Sequence, residues 1–142
     1  MEIRTFQPQD LYAISLQSAQ LGILYDTVRE KGYGEALAAV GKAYTATSSG
    51  EVMACIGVIP QWPGYSRAWA LVSRDAGRCM VSLTRGIARW LRFHNEGRVD
   101  TAVRCDFDAA IRWAKMLGFQ QEGVMRKYDP EGADYYLYAQ VA

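Results

Sequence analysis

The chain is poor in the features that tie a protein to a membrane, a metal or an oxidising compartment. No apolar run approaches the roughly 20 residues that a membrane span requires. The opening Met1-Glu2-Ile3-Arg4 lacks the apolar core of a signal peptide, so a cytoplasmic protein without a membrane partner is expected. There is one histidine, His94, and the three cysteines, Cys55, Cys79 and Cys105, form no CxxC pair. That set is too sparse for a zinc site, and no metal is expected. An odd cysteine count without a signal peptide reads as reduced thiols. A Cys–His catalytic pair is one reading of them; burial as small hydrophobes is the expected one. Repeats, linkers and low-complexity tracts are also missing.

What remains is the composition of an ordinary folded protein. Half of the 142 residues are apolar and 22% are charged, which fits one domain over residues 1–142. A chain of that size buries roughly 70% of its unfolded surface and needs no staple. The net charge of +1 hides an asymmetry. Residues 67–104 carry eight arginines (Arg67, Arg74, Arg78, Arg85, Arg89, Arg92, Arg98, Arg104) against three acids (Asp75, Glu96, Asp100), while the rest holds eight bases and twelve acids. Arginine's planar fork pairs well with phosphate, so the segment reads either as a solvated helix face or as a site for an anionic partner.

Periodicity sets the element order. Residues 1–6 read as a short strand. Pro8 opens a helix carrying Asp10 near its positive end, with Leu11, Ile14, Leu16 and Leu21 as its stripe and Gly22 as an interruption. A second helical stretch covers residues 23–40, broken around Gly32-Tyr33-Gly34. Residues 42–47 form a strand that ends at the turn cluster Ser48-Ser49-Gly50, residues 51–59 form the next, and 60–64 form a loop. A strand over 67–73 follows, so hairpins join the three. Met80, Leu83, Ile87, Trp90 or Leu91, and His94 then fall at helical spacing over 78–95, with arginines opposite. Gly97 stops that helix. Residues 99–105 form a strand. Asp106 or Asp108 caps a helix over 109–117, Gly118 ends it, and strands over 119–128 and 133–141 close the chain. The four tryptophans are expected in the core, and Tyr135, Tyr136 and Tyr138 are expected to face alternately in and out. The order β-α-α-β-β-β-α-β-α-β-β is α/β or mixed α+β, with the βαβ crossover as the expected ligand site.

The informative junction is Leu71-Val72-Ser73-Arg74-Asp75-Ala76-Gly77-Arg78-Cys79, which passes from strand to loop to helix. Unpaired N–H groups at a helix start carry partial positive charge. A glycine there lets a phosphate approach the backbone, and Arg74 and Arg78 flank it.

At this point the chain resembles the GNAT superfamily of N-acetyltransferases. Arg74-x-x-Gly77-x-Cys79 meets two of the three fixed positions of the family's R/Q-x-x-G-x-G/A fingerprint. Ile3-Arg4 with Asp10 is similar to the family's opening strand and helix, and Ala110 followed by Gly118-Phe119 is similar to its A-(x7)-G-F ending. The resemblance implies a mixed, mostly antiparallel central sheet with a βαβ crossover and helices on both faces. It implies acetyl-CoA as co-substrate and direct acetyl transfer to an amine that the sequence does not identify. It assigns Leu71, Val72 and Ser73 to the pantetheine arm, Arg74, Gly77, Arg78 and Cys79 to the pyrophosphate, and Ala110 to the cofactor site. Three departures stand out. Phe107 replaces the family's usual asparagine, Ala114 replaces its frequent tyrosine acid, and strand 67–72 offers no carboxylate base. That leaves Glu51, Asp26, Tyr128, Tyr135 and Tyr136 as unranked candidates. The chain is also similar to small GNAT-like proteins of tailed bacteriophages, some of which serve as non-catalytic virion or assembly factors. The alternative to an enzyme is therefore a binding or assembly protein, with a homodimer or virion partner. A nucleic-acid partner for the arginine helix ranks last.

Overall fold

The structure, a computed structural model, describes residues 1–15 and 32–142. Its elements follow the expected order: β1 (Glu2–Thr5), α1 (Asp10–Ala13), α2 (Tyr33–Val40), β2 (Lys42–Ser48), β3 (Glu51–Trp62), β4 (Tyr65–Val72), a 3₁₀ turn (Ala76–Cys79), α3 (Met80–His94), β5 (Arg98–Arg104), α4 (Asp108–Met116), β6 (Gln120–Met125) and β7 (Tyr135–Val141). The helical stripe expected through Leu16, Leu21 and Gly22, and the first part of the 23–40 stretch, lie outside the described residues. Among the described residues, seven strands form one sheet in the order β1-β2-β3-β4-β5-β7-β6. The residues divide into two compact units, Met1–Pro60 with Ala68–Leu83, and Gln61–Arg67 with Thr84–Ala142.

In the first unit β2 pairs antiparallel with both β1 and β3. The β2–β3 turn falls on Ser49 and Gly50, both at positive φ, which is why the Ser-Ser-Gly cluster was a readable signal. The core joins Phe6, Leu11, Ile14, Leu37, Val52, Cys55 and Leu71, with Trp69 packed against it. Each such side chain contributes about 1.5–3 kcal/mol by leaving water. Trp69 meets Phe6 edge-on at 5.6 Å and lies against Gly57, where an added Cβ would sit 2.7 Å from the indole nitrogen. Glycine at 57 thus makes room for the tryptophan.

In the second unit the start of β4 pairs parallel with β5, Tyr65 opposite Arg98 and Arg67 opposite Asp100. This is the parallel pair that the crossover reading required. β7 then lies between β5 and β6, antiparallel to both. Tyr135 and Tyr138 are both buried, so the expected in-and-out alternation gives way on a strand flanked by two others. Trp113 on α4 donates from Nε1 to Thr84 Oγ1 of α3 at 2.8 Å.

Several details differ from the sequence expectations. β3 runs on through Pro60 to Trp62, and the turn contracts to Pro63-Gly64, with Gly64 at φ 90°. Trp62 is 65% exposed instead of in the core; it stacks edge-on against Tyr65 at 4.7 Å. Neither Asp106 nor Asp108 caps α4. The cap position is Phe107, without a side-chain cap bond, because Asp106 is held by Arg104 at 2.7 Å and Asp108 already lies in the first turn. His94, by contrast, is exposed as its place near a helix end leads one to expect, and it stacks on Trp90 at 4.5 Å.

Candidate functional site

The strand-to-helix junction lies wholly in the first unit. Leu71 and Val72 end β4 buried, and Ser73 is 2% exposed. Ser73 donates its N–H to Met53 O at 2.8 Å. The Ser73 hydroxyl accepts the Asp75 N–H at 3.1 Å, and Ala76 N–H returns to Ser73 O at 3.1 Å. Those two bonds tighten the chain into the 3₁₀ turn that carries Gly77, Arg78 and Cys79 into α3.

The side chains sort themselves by solvent. Ala76 and Cys79 are buried beneath the turn, while Arg74, Asp75, Gly77 and Arg78 face water. Among the described residues, a Cβ built on Gly77 would meet nothing within 4 Å. The glycine therefore leaves its backbone open from outside without relieving any contact within the chain. Arg74 and Arg78 make no ion pair among the described residues. An exposed helix start with two uncommitted guanidinium groups and an unobstructed backbone is the arrangement a phosphate group fits.

Ala110, Phe107 and Ala114 lie in the second unit. Ala110 is half-buried in the first turn of α4, Phe107 is half-buried at its cap, and Ala114 is 5% exposed. A polar ring at 114 would have to displace packed neighbours. The unranked base candidates separate clearly. Glu51 is exposed beside the β2–β3 turn and Tyr136 is half-buried. Tyr135 is buried with its hydroxyl 3.3 Å from Asp129 Oδ2, Tyr128 is 45% exposed, and Asp26 lies outside the described residues. The cysteines are not nucleophiles by environment. Burial pushes the Cys55 thiol up to about 12, and burial raises Cys105 as well.

One group escaped the sequence reading. Asp100 on β5 is 4% exposed. Its Oδ2 accepts from the Tyr65 hydroxyl at 2.7 Å and from Arg98 at 3.2 Å. Its Oδ1 lies 3.3 Å from Arg67 Nε but takes no hydrogen bond among the described residues. Arg98 in turn reaches Glu122 on β6 at 2.7 Å. The signal was present as Tyr65-x-Arg67 and Arg98-x-Asp100, polar residues two apart on a shared strand face. It becomes legible only once β4 and β5 are known to run parallel in that register.

No family model and no curated protein sequence matches the chain. Solved structures do. The ribosomal-protein-alanine N-acetyltransferase from Brucella melitensis superposes with a TM-score of 0.75 at 18% identity, covering 100% of both chains. Ard1 from Thermoplasma volcanium gives 0.70 at 22%, covering 99% of this chain and 97% of its own. An acetyltransferase of the GNAT family from Streptococcus pneumoniae gives 0.70 at 16%, covering 99% and 98%. The fold is thus the GNAT fold along the full chain, as the resemblance implied.

Proposed function

We propose that this GNAT-fold chain binds acetyl-CoA and transfers its acetyl group directly to an amine. The observation that carries the reading is the junction Ser73–Cys79, open above Gly77 and flanked by Arg74 and Arg78. Gly77 to Cys79 would receive the pyrophosphate through backbone N–H groups, with Arg74 and Arg78 as counter-charges. Leu71 to Ser73 would guide the pantetheine arm.

Acetyl-CoA, when bound, supplies an activated acyl carbon: the amine nitrogen bonds to it as the C–S bond breaks. The acceptor ammonium gives up one proton to solvent before attack and a second that ends on the thiol. With Ala114 buried and apolar, no side chain at that position protonates the sulfur, and the proton comes from water or from another side chain. Placed general acids are worth about 10²–10⁴-fold, so the reading expects slow turnover supported mainly by proximity.

A second reading, a non-catalytic binding or assembly protein, draws on Phe107 and Ala114, which leave apolar groups where the family resemblance calls for polar ones. Calorimetric titration with acetyl-CoA separates the two. The enzyme reading expects saturation at or below millimolar concentration. It also expects Gly77→Glu, which sets a carboxylate against the phosphates, to weaken binding at least about tenfold with the thermal unfolding midpoint unchanged. No saturation up to millimolar acetyl-CoA overturns the enzyme reading in favour of the second. Unchanged affinity in the Gly77→Glu variant removes the site from this junction.

A further inference from the structure

The arginines of this chain fall into two populations. Arg4, Arg67, Arg98 and Arg104 each have a carboxylate partner. Arg85, Arg89 and Arg92 on α3, with Arg112 and Lys115 on α4, have none: among the described residues none of the five makes an ion pair or a side-chain hydrogen bond. All five are exposed, and α3 contains no acid at all. A solvated face normally intersperses both signs and forms i,i+4 pairs. On α3 no acid is interspersed, and on α4 Asp108, four residues before Arg112, makes no ion pair with it among the described residues.

Helix geometry gathers the three on α3. Spacings of four and three residues place Arg85, Arg89 and Arg92 on one ridge of α3, about 10 Å long at about 1.5 Å per residue. The Trp113–Thr84 bond brings α4 alongside. A groove of about 360 Å³ between the two helices and the end of β7 has Arg92 on its rim and Leu91, Met116 and Leu117 on its wall. Apolar side chains are exposed amid the charge: Phe93 is 71% and Met116 65% accessible. Phe93 follows Arg92 directly on α3.

We infer that this face binds single-stranded nucleic acid. Guanidinium forks suit phosphate oxygens, and an exposed flat ring such as Phe93 beside a cationic ridge is what an unpaired base stacks upon. A duplex would meet the arginines but leave Phe93 and the groove unused. The inference rests on residues other than those assigned to acetyl-CoA above and holds whether or not acetyl transfer occurs.

The test is fluorescence anisotropy of labelled dT and rU 12-mers with the full chain, from 50 to 200 mM salt. Binding is expected at 50 mM, steeply salt-dependent. Arg85→Gln/Arg89→Gln/Arg92→Gln should weaken it about tenfold or more. The same variant should lower the slope of log K against log[salt] by about 2, since each neutralised phosphate of a single strand contributes about 0.7. Phe93→Ala should weaken binding with the slope unchanged, which a purely electrostatic face would not show. Unaltered far-UV circular dichroism and unfolding midpoints keep the variants interpretable. The inference fails if neither oligonucleotide binds at 50 mM salt. It also fails if the triple variant binds like the parent, or if excess acetyl-CoA displaces the oligonucleotide from parent and triple variant alike, which would put the binding at the junction. Polyglutamate or anionic phosphatidylserine vesicles binding as tightly as the oligonucleotides, with Phe93→Ala silent, would overturn it in favour of a general acidic partner or a membrane surface.

Discussion

Each unit buries one aspartate against arginine, and the two are finished differently. Asp10 is 3% exposed and Asp100 is 4%, and each accepts from a hydroxyl, Thr45 at 2.8 Å and Tyr65 at 2.7 Å. At Asp10 both oxygens are satisfied: Arg4 grips them with two bonds of 2.8 Å, and Gln7 N–H adds a third donor at 2.9 Å. At Asp100 the arginine bonds are longer, 3.2 and 3.4 Å, and Oδ1 takes none. A bidentate, fully donated carboxylate is a structural joint. A carboxylate with a spare buried oxygen is held less tightly, because an unmet acceptor costs about 1–3 kcal/mol of desolvation. Burial alone therefore does not distinguish the two sites; the count of donors does.

That contrast can be broken experimentally. The largest expected loss is at Asp10. Asp10→Asn turns an acceptor into a donor facing Arg4, and removing one member of a buried pair costs about 3–5 kcal/mol. Because Arg4 is partly exposed and can return to water, about 3 kcal/mol is expected, read from the urea midpoint. The acid limb sharpens the same point. Burial tends to raise the Asp10 carboxyl, but bonds from Arg4, Gln7 and Thr45 outweigh it and hold the group below its ordinary value. A folded-state value below the unfolded one, about 3.9, means stability that is present above that pH and lost as pH falls through the folded value. Asp10→Asn should accordingly flatten the loss of stability below pH 4.

Asp100→Asn should cost less, about 1–2 kcal/mol, because its hydrogen bonds are fewer and one oxygen already lacks a donor. A loss matching that of Asp10→Asn would dissolve the distinction. The smallest effect belongs to Tyr65→Phe, which removes one 2.7 Å bond and should shift the midpoint by about 0.5–1.5 kcal/mol. Burial and the Asp100 bond hold the Tyr65 phenol above its ordinary value, so phenolate absorbance should appear later than for a free tyrosine. Titration at the ordinary tyrosine value would contradict that bond.

The same contrast shows what the sequence made legible. The Asp10 region could be anticipated, since Ile3-Arg4 and Asp10 sit in consecutive local elements. Likewise α3 declared itself by its 3.6-residue stripe, and Gly50 and Gly118 by the positive φ they adopt. Asp100 could not be found this way. Its partners come from residues 65, 67 and 98, and only the register of parallel β4 and β5 brings the first two to it. Trp62 misled for a related reason: a large aromatic signals burial on average, but its place at the outer end of β3 left it in water. The α4 cap failed because Asp106 was claimed by Arg104, a competition that propensity does not register.

The placement of β7 between β5 and β6 bears on how the protein is made. Strand β6 has β7 as its one partner among the described strands, yet β7 is synthesised after it. A nascent chain that has emerged only through Met125 carries β6 with its backbone groups unmatched and β5 with an open edge, a surface on which strands of other chains can add. At about 5–20 residues per second, the interval before Tyr135–Val141 appears is on the order of a second. For that time the helix-turn unit around Ser73–Cys79 can already be folded, while its neighbour on the chain waits for its last strand.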